Sequence, residues 1–400
     1  MNSEKGNMRF ETICAQELKD IKSGDPHVLP IHATSAFSYE NIDDSIDVFT
    51  GEKEGYVYTR YGNPTISAVQ NKLAQLESFG TDLEAFCIMC NSGLAAISTL
   101  CMSLLQEGDE LITQGNLYGG TTEIFKSILS RYGIKVHFTD LKNLDVVDNI
   151  IRQNPRIKMM YFETPTNPTL SCLNIKGLTH LCRQHDIVSA IDNTFATPYL
   201  QQPFKHGVDF VVHSTTKFIN GHGNAIAGAI IGKSASHKKK VWNTMKLLGT
   251  NTNAWDAWLT HTGIKTLPLR MDKHCFNAMN LAHYLEAHPK VKKVNYPGLE
   301  SFEDHQIAKD QMSQFGAMLS FEIDGGVEAA KRFMNNTRLC SITSTLGNVD
   351  TLLLHPVTAS HLNVSQEIRD QFAITDGLIR VSVGIENVED LKEDFERGLK

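Results

Sequence analysis

The chain of 400 residues is longer than one hydrophobic core usually organises, so we expect two domains of unequal size. Hydrophobic residues make up 41% and charged residues 21%, a composition typical of a folded protein that excludes a mostly disordered chain. The 38 basic and 45 acidic residues give a net charge of −7, the wrong sign for gripping a phosphate backbone, so we expect no nucleic-acid partner.

The start of the chain and the cysteines indicate where the protein works. The N-terminal sequence lacks the basic end and the apolar block of a secretion signal, and no run approaches the roughly 18 apolar residues that cross a bilayer. Several of the eight cysteines lie in apolar stretches, where a reduced thiol behaves as a small hydrophobe, so disulfides are not indicated. We therefore expect a cytoplasmic protein without a membrane partner.

Residues 1–64 are expected to form an N-terminal arm. They show little regular periodicity, and residues 51–64, GEKEGYVYTRYGNP, are rich in turn formers and aromatic side chains. An exposed arm of this composition needs a surface to lie against.

Residues 65–255 are predicted to form the large domain, which has an α/β fold. Helical periodicity alternates there with short apolar runs, the pattern of a mostly parallel sheet wrapped by helices. The predicted strands are 85–89, 110–113, 136–139, 159–163, 188–192, 210–213 and 226–231. Ligands bind open parallel sheets beyond the carboxyl ends of the strands, so the residues that follow each strand are the candidates for a site.

Residues 256–400 are predicted to form a smaller α+β C-terminal domain. The segment RMDKHCFNAMNLAHYLEAHP predicts a long helix, and MLSFEIDGG and GLIRVSVGIE are the clearest strands. Arg380 lies inside the second of these strands, where a permanent charge needs a carboxylate partner. From the residues alone, an internal ion pair and a functional clamp both remain open for Arg380.

The first predicted strand ends in CNSGL at 90–94 and runs into a helix. Backbone N–H groups, a hydroxyl and a glycine at a helix N-terminus suit a phosphate group. A plain N-cap by Ser92 explains the same residues, and taken alone it is the more common use of such a serine.

Two later strands end in ionisable residues. Asp192 follows a mostly apolar strand, where an ionised carboxylate is costly without a cationic or N–H partner, although a capping aspartate is the simpler interpretation. The strand at 210–213 leads through Ser214, Thr215 and Thr216 to Lys217. A lysine at the tip of a core strand can be desolvated, which favours its neutral amine and a Schiff base with an aldehyde.

These three strand endings together indicate pyridoxal 5′-phosphate as the cofactor. This cofactor requires an anion seat, a carboxylate beside its ring nitrogen and a lysine that forms an imine with its aldehyde. One such loop is weak support, but three of them along one sheet are hard to obtain by chance.

Two other patterns point to no ligand. Residues 221–228, GHGNAIAG, look like a dinucleotide loop, but their third glycine is too far along and they precede a strand, so NAD is not expected. Cys87 and Cys90 have the spacing of half a zinc site, but they have no second pair and lie on an apolar strand. We therefore expect no metal.

Nearly the whole chain resembles the pyridoxal-phosphate enzymes of cysteine and methionine metabolism, which include methionine γ-lyase, cystathionine γ-lyase, cystathionine γ-synthase and homoserine-ester sulfhydrylases. The matching segments are YTRYGNPT at 58–65, SG at 92–93, LYGGT at 117–121, ETPTNP at 163–168, DNTF at 192–195, HSTTK at 213–217, LG at 346–347, HP at 355–356 and RVSVGIE at 380–386. The resemblance implies fold type I of the pyridoxal-phosphate-dependent transferases.

The resemblance also implies a role for each matched site residue. Lys217 would hold the cofactor as an imine and carry protons, assisted by Tyr118, which would stack on the ring, while Asp192 would pair with the ring nitrogen. The other implied roles are phosphate binding by Ser92, Gly93, Leu94, Ser214 and Thr216, phosphate binding in a neighbouring subunit by Tyr58 and Arg60, and binding of the substrate carboxylate by Thr345 and Arg380. A site shared in this way implies a homotetramer built from two catalytic dimers.

The resemblance favours γ-elimination on methionine or a related sulfur amino acid, which would give 2-oxobutanoate, ammonia and a thiol. The segments RMDKHCFNA, YPGL and QMSQFG look most like methionine γ-lyase. However, Gly120 stands where that lyase has a cysteine, and Thr345 replaces a serine that is common in the lyases. The alternative is therefore γ-replacement on an O-acyl-homoserine, by a cystathionine γ-synthase or a homoserine-ester sulfhydrylase.

Two hypotheses come from other classes of function. A pyridoxal-phosphate transaminase would need a second half-reaction with a keto acid, and the family motifs argue against it. A catalytically silent binding protein would be expected to lose Lys217 or Asp192, and the sequence keeps both.

Overall fold

The computed structural model describes residues 8–17, 23–360, 362 and 366–400. It contains one seven-stranded sheet and one five-stranded sheet, each packed against helices. The α/β class, with a large sheet domain and a smaller C-terminal sheet domain, is thereby confirmed. Residues 1–7 and 18–22 of the predicted arm lie outside the described residues.

The arm contains two helices that the sequence pattern did not reveal. They are α1, Phe10–Ala15, and α2, Ile42–Thr50. Helix α1 buries Phe10 and Cys14 against the large domain, whereas α2 buries no side chain. Three apolar residues of α2, Ile42, Ile46 and Phe49, have helical spacing and are exposed. We expected this segment to be irregular. The helical spacing of its apolar residues was the sequence signal that indicates α2.

The large sheet contains all seven predicted strands; β5 and β6 have the predicted bounds, and the ends of the other five are shifted. They are β1 Phe86–Cys90, β2 Glu110–Gln114, β3 Lys135–Thr139, β4 Ile157–Glu163, β5 Val188–Asp192, β6 Phe210–His213 and β7 Gly228–Gly232. Their order is β1-β7-β6-β5-β4-β2-β3, and every neighbouring pair is parallel except those that involve β7. Ile226, which we placed in the last strand, is 62% exposed and precedes it.

Helices cover both faces of this sheet, as its continuous apolar strands require. They are α3 Pro64–Glu77, α4 Gly93–Leu104, α5 Gly119–Glu123, α6 Leu144–Gln153, α7 Ile175–Gln184, α8 Thr197–Leu200, α9 Ala235–Leu248 and α10 Ala254–Ile264, with a π-helical turn at Ile124–Ile128 and 3₁₀ turns at Leu129–Tyr132 and Pro203–His206. Alternate residues of β1 enter different cores: Cys87 belongs to the core that contains α3, and Ile88 belongs to the core that contains α4. Helix α10 runs through the predicted boundary at residue 255, and the division into 1–64, 65–255 and 256–400 stays a prediction.

The smaller sheet is mostly antiparallel. The elements of the C-terminal domain are α11 Leu267–Glu286, β8 Val291–Asn295, α12 His305–Gln311, β9 Met318–Ile323, α13 Gly326–Asn336, β10 Ser341–Ile342, β11 Leu352–Leu354, α14 Gln366–Gln371, β12 Leu378–Ser382 and α15 Val388–Leu399, with a 3₁₀ turn at Pro356–Thr358. The strand order is β10-β11-β12-β9-β8, and only β10 and β11 are parallel. The core of this domain also takes in Leu170 and Phe218 from the large domain, so the small domain packs directly against the residue that follows Lys217.

The described residues give three further observations on the classes considered above. None of their helices is long and apolar enough to cross a membrane. Nor do they place three or more His, Cys, Asp or Glu side chains where these could hold a metal ion together. All eight cysteines are buried free thiols.

Candidate active site

A cavity of about 500 Å³ opens at the carboxyl ends of the parallel strands and is closed on its far side by the small domain. It brings together all the predicted site residues except Tyr58 and Arg60. The predicted residues that line it are Ser92, Gly93, Leu94, Tyr118, Asp192, Ser214, Thr216, Lys217, Thr345 and Arg380. A crevice of about 610 Å³ elsewhere between the domains contains none of them.

The loop after β1 forms a cradle for an anion. Ser92 is the N-cap of α4, and its hydroxyl accepts the N–H of Ala95 at 3.1 Å, so the capping role is real. A Cβ atom on Gly93 would lie 2.7 Å from the Cβ of Ser214. Glycine therefore allows the loop after β6 to approach the first turn of α4, where free N–H groups and the helix dipole favour a phosphate.

The loop after β6 is held by its own hydrogen bonds. The N–H of Ser214 donates to the hydroxyl of Thr194 at 2.8 Å. The hydroxyl of Thr216 donates to the carbonyl of Ala227 at 3.1 Å and accepts the Ala227 N–H at 3.1 Å. Thr216 thus fixes the turn that leads to β7, in addition to lining the cavity.

The amine of Lys217 lies inside the cavity and donates a hydrogen bond to the Thr345 hydroxyl at 2.9 Å. Burial, and to a smaller degree the charge of Arg380, lower the pKa of Lys217 to about 8. A Cβ on Gly347 would lie 3.0 Å from the Cα of Lys217, so this glycine lets the small domain press against the lysine backbone. A buried lysine with a lowered pKa has the neutral amine that attacks an aldehyde.

Asp192 ends β5 and has the N–H partner that its position demands. Its Oδ1 accepts the N–H of Thr194 at 3.0 Å, and its Oδ2 accepts the Tyr161 hydroxyl at 3.3 Å. Burial raises the pKa of Asp192, and the bonds from Thr194 together with the nearby His213 oppose that rise. The carboxylate is thus available at the cavity wall for a cationic or N–H group.

Arg380 does not have the carboxylate partner that we expected. It is 3% exposed on β12, and no carboxylate of the described residues lies within ion-pair distance of it. Its guanidinium donates to the Thr345 carbonyl at 2.9 Å and to Asn167 Oδ1 at 3.4 Å, while its buried Nε has no hydrogen-bond partner among those residues. Burial lowers its pKa to about 10, so it stays charged at neutral pH. A buried cation without a counter-ion is costly, and an anion in the cavity would relieve that cost.

Tyr118 stands at the start of α5 with its side chain 45% exposed. Its backbone N–H donates to Glu163 Oε2 at 3.2 Å. A Cβ on Gly120 would lie 2.7 Å from the Tyr118 ring and 3.0 Å from Leu94. The missing side chain at residue 120 therefore leaves room for the Tyr118 ring at the cavity mouth.

Tyr58 and Arg60 lie outside the cavity of their own chain. The guanidinium of Arg60 donates to the Lys246 carbonyl at 2.5 Å and lies 5.0 Å from the centre of the Tyr61 ring. The Tyr58 side chain is 40% exposed. Their role at the phosphate of a neighbouring subunit stays a prediction.

Glu163 and Asn167 also line the cavity, although we predicted no role for either of them beyond membership of the motif ETPTNP. Glu163 ends β4 directly beside Asp192, its register partner at the end of β5. The signal for Glu163 was the one that identified Asp192, an acidic residue at the end of an apolar strand.

The cavity has the features of a site for an aldehyde that carries an anionic tail and a basic ring nitrogen. The Gly93 cradle that a Cβ would fill, the Asp192 carboxylate and the Lys217 amine follow β1, β5 and β6 of the same sheet edge. The unpartnered Nε of Arg380 adds a second seat for an anion.

Comparisons with known proteins show what the chain is similar to. A family model described as Cys/Met metabolism PLP-dependent enzyme matches residues 11–400. An L-methionine gamma-lyase of Fusobacterium nucleatum subsp. polymorphum is 41% identical over 402 residues, which cover 100% of both chains. A crystal structure of cystathionine gamma-lyase from Lactobacillus plantarum is 35% identical, with a TM-score of 0.90 and 98% of both chains covered. That of cystathionine gamma synthase from Xanthomonas oryzae pv. oryzae is 32% identical, with a TM-score of 0.91 and 98% of both chains covered.

Proposed function

Because the chain belongs to the Cys/Met metabolism PLP-dependent enzymes, we propose that it is a carbon–sulfur lyase acting on methionine or a related sulfur amino acid. The reaction is a γ-elimination in which water is consumed and 2-oxobutanoate, ammonia and a thiol are released. The observation that carries the proposal is the cavity that joins the Lys217 amine, the Asp192 carboxylate and the uncompensated Arg380 guanidinium. The L-methionine gamma-lyase that is 41% identical over its full length favours elimination.

The cofactor site is formed by side chains at three strand ends. Lys217 Nζ would hold the aldehyde of pyridoxal 5′-phosphate, Asp192 would pair with its ring nitrogen, and Gly93 with the start of α4 would accommodate its phosphate. Ser92, Leu94, Ser214 and Thr216 complete the phosphate seat. When bound, the ring withdraws electrons from the substrate carbon that loses its proton.

The substrate is oriented by its α-carboxylate. Arg380 receives this group, because its guanidinium is buried, charged and held by Thr345 and Asn167 without a counter-ion. Thr345 accepts a hydrogen bond from Lys217 with its hydroxyl and one from Arg380 with its carbonyl. One residue thus sets the distance between the amine that moves protons and the cation that holds the substrate.

Lys217 and Tyr118 move the protons. Lys217 Nζ would take the α-proton and then a β-proton of the substrate, and the Tyr118 hydroxyl would assist the proton transfer at the cavity mouth. Because burial lowers the pKa of Lys217 to about 8, this amine is suited to accept and return protons near neutral pH.

γ-Replacement on an O-acyl-homoserine, in which a second nucleophile takes the place of the leaving group, is the second candidate. The cystathionine gamma synthase from Xanthomonas oryzae pv. oryzae, 32% identical with a TM-score of 0.91, favours it. Elimination and replacement differ only in whether such a nucleophile arrives.

We also propose that the enzyme works in the cytoplasm as a homotetramer of two catalytic dimers, with the arm of one chain reaching its neighbour. The eight free thiols support a reducing compartment. The exposed face of α2 and the position of Tyr58 and Arg60 outside their own cavity support the shared site. The three-part division at residues 64 and 255 belongs to this proposal.

One assay separates the two reactions. The purified protein, loaded with pyridoxal 5′-phosphate, is incubated with methionine, cystathionine, O-acetylhomoserine or O-succinylhomoserine, with and without sulfide or cysteine. We expect 2-oxobutanoate and methanethiol from methionine without an added nucleophile. Product formation only when a thiol is supplied would overturn the lyase and support replacement.

The shared site has its own test. Arg60→Ala weakens retention of the cofactor, and Lys217→Ala removes turnover. Mixing the two variants produces hybrid dimers with one intact site, so activity should recover to about a quarter of that of the unaltered enzyme if the subunits exchange freely. No recovery under conditions where mass spectrometry shows exchange would contradict the shared site.

A further inference from the structure

We infer that Glu163 is a positioning residue that sets the placement of Tyr118 and, through Asn167, of Arg380. This inference rests on the proposed function, for which Tyr118 and Arg380 are the aromatic group over the cofactor and the substrate clamp. Glu163 lies between them, at the end of β4, with its side chain inside the cavity wall.

The two oxygens of the Glu163 carboxyl bind two different loops. Oε2 accepts the backbone N–H of Tyr118 at 3.2 Å, and Oε1 accepts the backbone N–H of Asn167 at 3.3 Å. Tyr118 comes from the loop after β2 and Asn167 from the loop after its neighbour β4, so a single side chain ties together two loops that line the cavity.

The backbone of Glu163 is itself fixed, which makes its side chain a rigid support. Its N–H donates to Gln114 Oε1 at 3.0 Å, and its carbonyl accepts Gln114 Nε2 at 3.1 Å. Glu163 is 6% exposed and Gln114 is 2% exposed. The two hydrogen bonds between the Gln114 side-chain amide and the Glu163 backbone hold the end of β4 against β2, next to the loop that contains Tyr118.

Tyr118 depends on backbone bonds for its position. Its carbonyl accepts the N–H groups of Thr121 and Thr122 at 2.9 and 3.0 Å, which starts α5, and its N–H binds Glu163. Nearly half of its side chain is exposed, so packing around the ring is incomplete. Loss of the Glu163 bond would free the residue at one of its two backbone anchors.

The second bond reaches the substrate clamp. Asn167, whose N–H binds Glu163, accepts a hydrogen bond from the Arg380 guanidinium at 3.4 Å through its Oδ1. Asn167 is 4% exposed, so this contact is shielded from water. The order Tyr118, Glu163, Asn167, Arg380 forms one continuous set of hydrogen bonds along the cavity wall.

A contribution to the stability of the fold does not explain why residue 163 is acidic. Among the described residues, no Lys, Arg or His lies within ion-pair distance of Glu163, and its neighbour Asp192 is also acidic. Burial and the charge of Asp192 raise the pKa of Glu163 to about 8. An apolar side chain would avoid this cost, whereas two acceptor atoms on one side chain are needed to hold two N–H groups.

The test compares Glu163→Gln with Glu110→Gln at pH 9, where a carboxyl with a pKa of about 8 is ionised and both of its oxygens accept hydrogen bonds. The glutamine amide keeps one acceptor but turns an NH₂ group toward a backbone N–H, so one of the two bonds is lost. Glu110 is the matched control because it is also buried, at 3% exposure, in the same sheet, but it faces His137 and Arg156 and does not line the cavity.

The first measurement is made on the protein without cofactor. Hydrogen exchange followed by mass spectrometry reports the protection of the amides of Tyr118 and Asn167. We expect exchange about tenfold faster or more at one or both of these amides in Glu163→Gln, and no change there in Glu110→Gln. Unchanged exchange at both amides in Glu163→Gln would overturn the inference.

The second measurement is a double-mutant cycle on the dissociation constant of pyridoxal 5′-phosphate, determined by its absorbance. Glu163→Gln should weaken binding about tenfold in the unaltered background and have no further effect when Tyr118→Ala has already removed the ring. Equal effects in both backgrounds would overturn the inference, because Glu163 would then act independently of Tyr118.

The third measurement uses the reaction itself. Through Asn167 and Arg380, Glu163→Gln should raise KM for the amino-acid substrate, and through Tyr118 it should lower kcat, while Glu110→Gln should change neither by more than about twofold. An equal response of both variants would overturn the inference. If the unaltered protein turns over none of the substrates but the exchange and the cycle behave as expected, the proposed function fails and the positioning role stands.

Discussion

The cavity and the C-terminal end of the small domain both bury charged side chains, but they treat the charge in opposite ways. Asp394 on α15 is 1% exposed and accepts the backbone N–H groups of Arg338, Leu339 and Cys340 at 2.8, 3.0 and 3.2 Å, together with Arg397 at 2.7 Å. Burial alone would raise the pKa of Asp394, but these bonds hold that pKa below its usual value. Arg380 is nearly as buried, at 3%, and has no carboxylate partner in the described part of the chain.

The difference distinguishes buried charges that stabilise the fold from buried charges whose missing partner is a ligand. A buried charge with a full set of partners repays its loss of water, whereas one with incomplete partners costs free energy that only a ligand can restore. Substitutions in the two regions should therefore affect different measurements.

Lys217→Ala is expected to have the largest effect, the loss of detectable turnover, because the amine both attaches the cofactor and moves protons. Lys72 is the matched control. It is 3% exposed, burial lowers its pKa to about 8 as for Lys217, and it donates to the carbonyls of Cys14 and Gln16 far from the cavity. Lys72→Ala should keep kcat per folded molecule, measured with a keto-acid assay. Near-normal turnover by Lys217→Ala would refute its assigned role.

Arg380→Leu should raise KM about a hundredfold, because a charge-assisted bond to the substrate carboxylate is lost, with the midpoint of thermal unfolding of the cofactor-free protein unchanged or higher. Arg270→Leu is the contrasting variant. Arg270 is 4% exposed and donates to the carbonyls of Phe218, Ile219 and Gly263. Its removal leaves buried acceptors unpaired and should lower the midpoint. Equal losses of stability in the two variants would contradict the comparison.

Asp394→Asn should destabilise the small domain by about 3 kcal/mol, since the amide NH₂ would face backbone N–H groups that the carboxylate now accepts. The measurement is the midpoint of urea unfolding followed by circular dichroism, and kcat/KM should stay the same. Asp390→Asn, at an exposed position of the same helix, serves as the control and should change nothing. A reduced kcat/KM with normal stability in Asp394→Asn would break the separation of the two regions.

The smallest expected effect is that of pH on cofactor attachment. A lysine attacks an aldehyde as the neutral amine, and the pKa of Lys217 in the cofactor-free protein is about 8. The neutral fraction therefore rises as pH increases through 8, so the attachment rate, followed by absorbance in stopped flow, should grow about tenfold between pH 7 and pH 9 and then level off. A rate that still rises toward pH 10.5 would show that the amine keeps its ordinary pKa.

The strand ends were accessible from the sequence because a parallel sheet places its carboxyl ends at one edge. Asp192 and Lys217 each follow an apolar run in the sequence, and the structure places both in one cavity. The direction of β7 was not accessible, because a buried apolar run looks the same whichever way its strand points. Helix α2 was overlooked although Ile42, Ile46 and Phe49 have helical spacing.

Contacts between residues that are distant in the chain could not be predicted from sequence patterns, because such patterns are local. For Arg380 the chain indicated a need for a counter-ion, but which groups surround it depends on how β12 packs against loops more than 200 residues earlier, such as the one that contains Asn167. The link from Glu163 to Tyr118 likewise joins loops after β4 and β2.

The order of residues along the chain was thus sufficient for the α/β class, for the family and for ten of the residues that line the cavity, because periodicity and short motifs are local properties. Tertiary structure alone decided which buried charges are compensated and which side chain holds two loops in place. The physical reason is that hydrogen bonds and charges act over a few ångströms, and only folding brings residues as distant in sequence as Asn167 and Arg380 within that range.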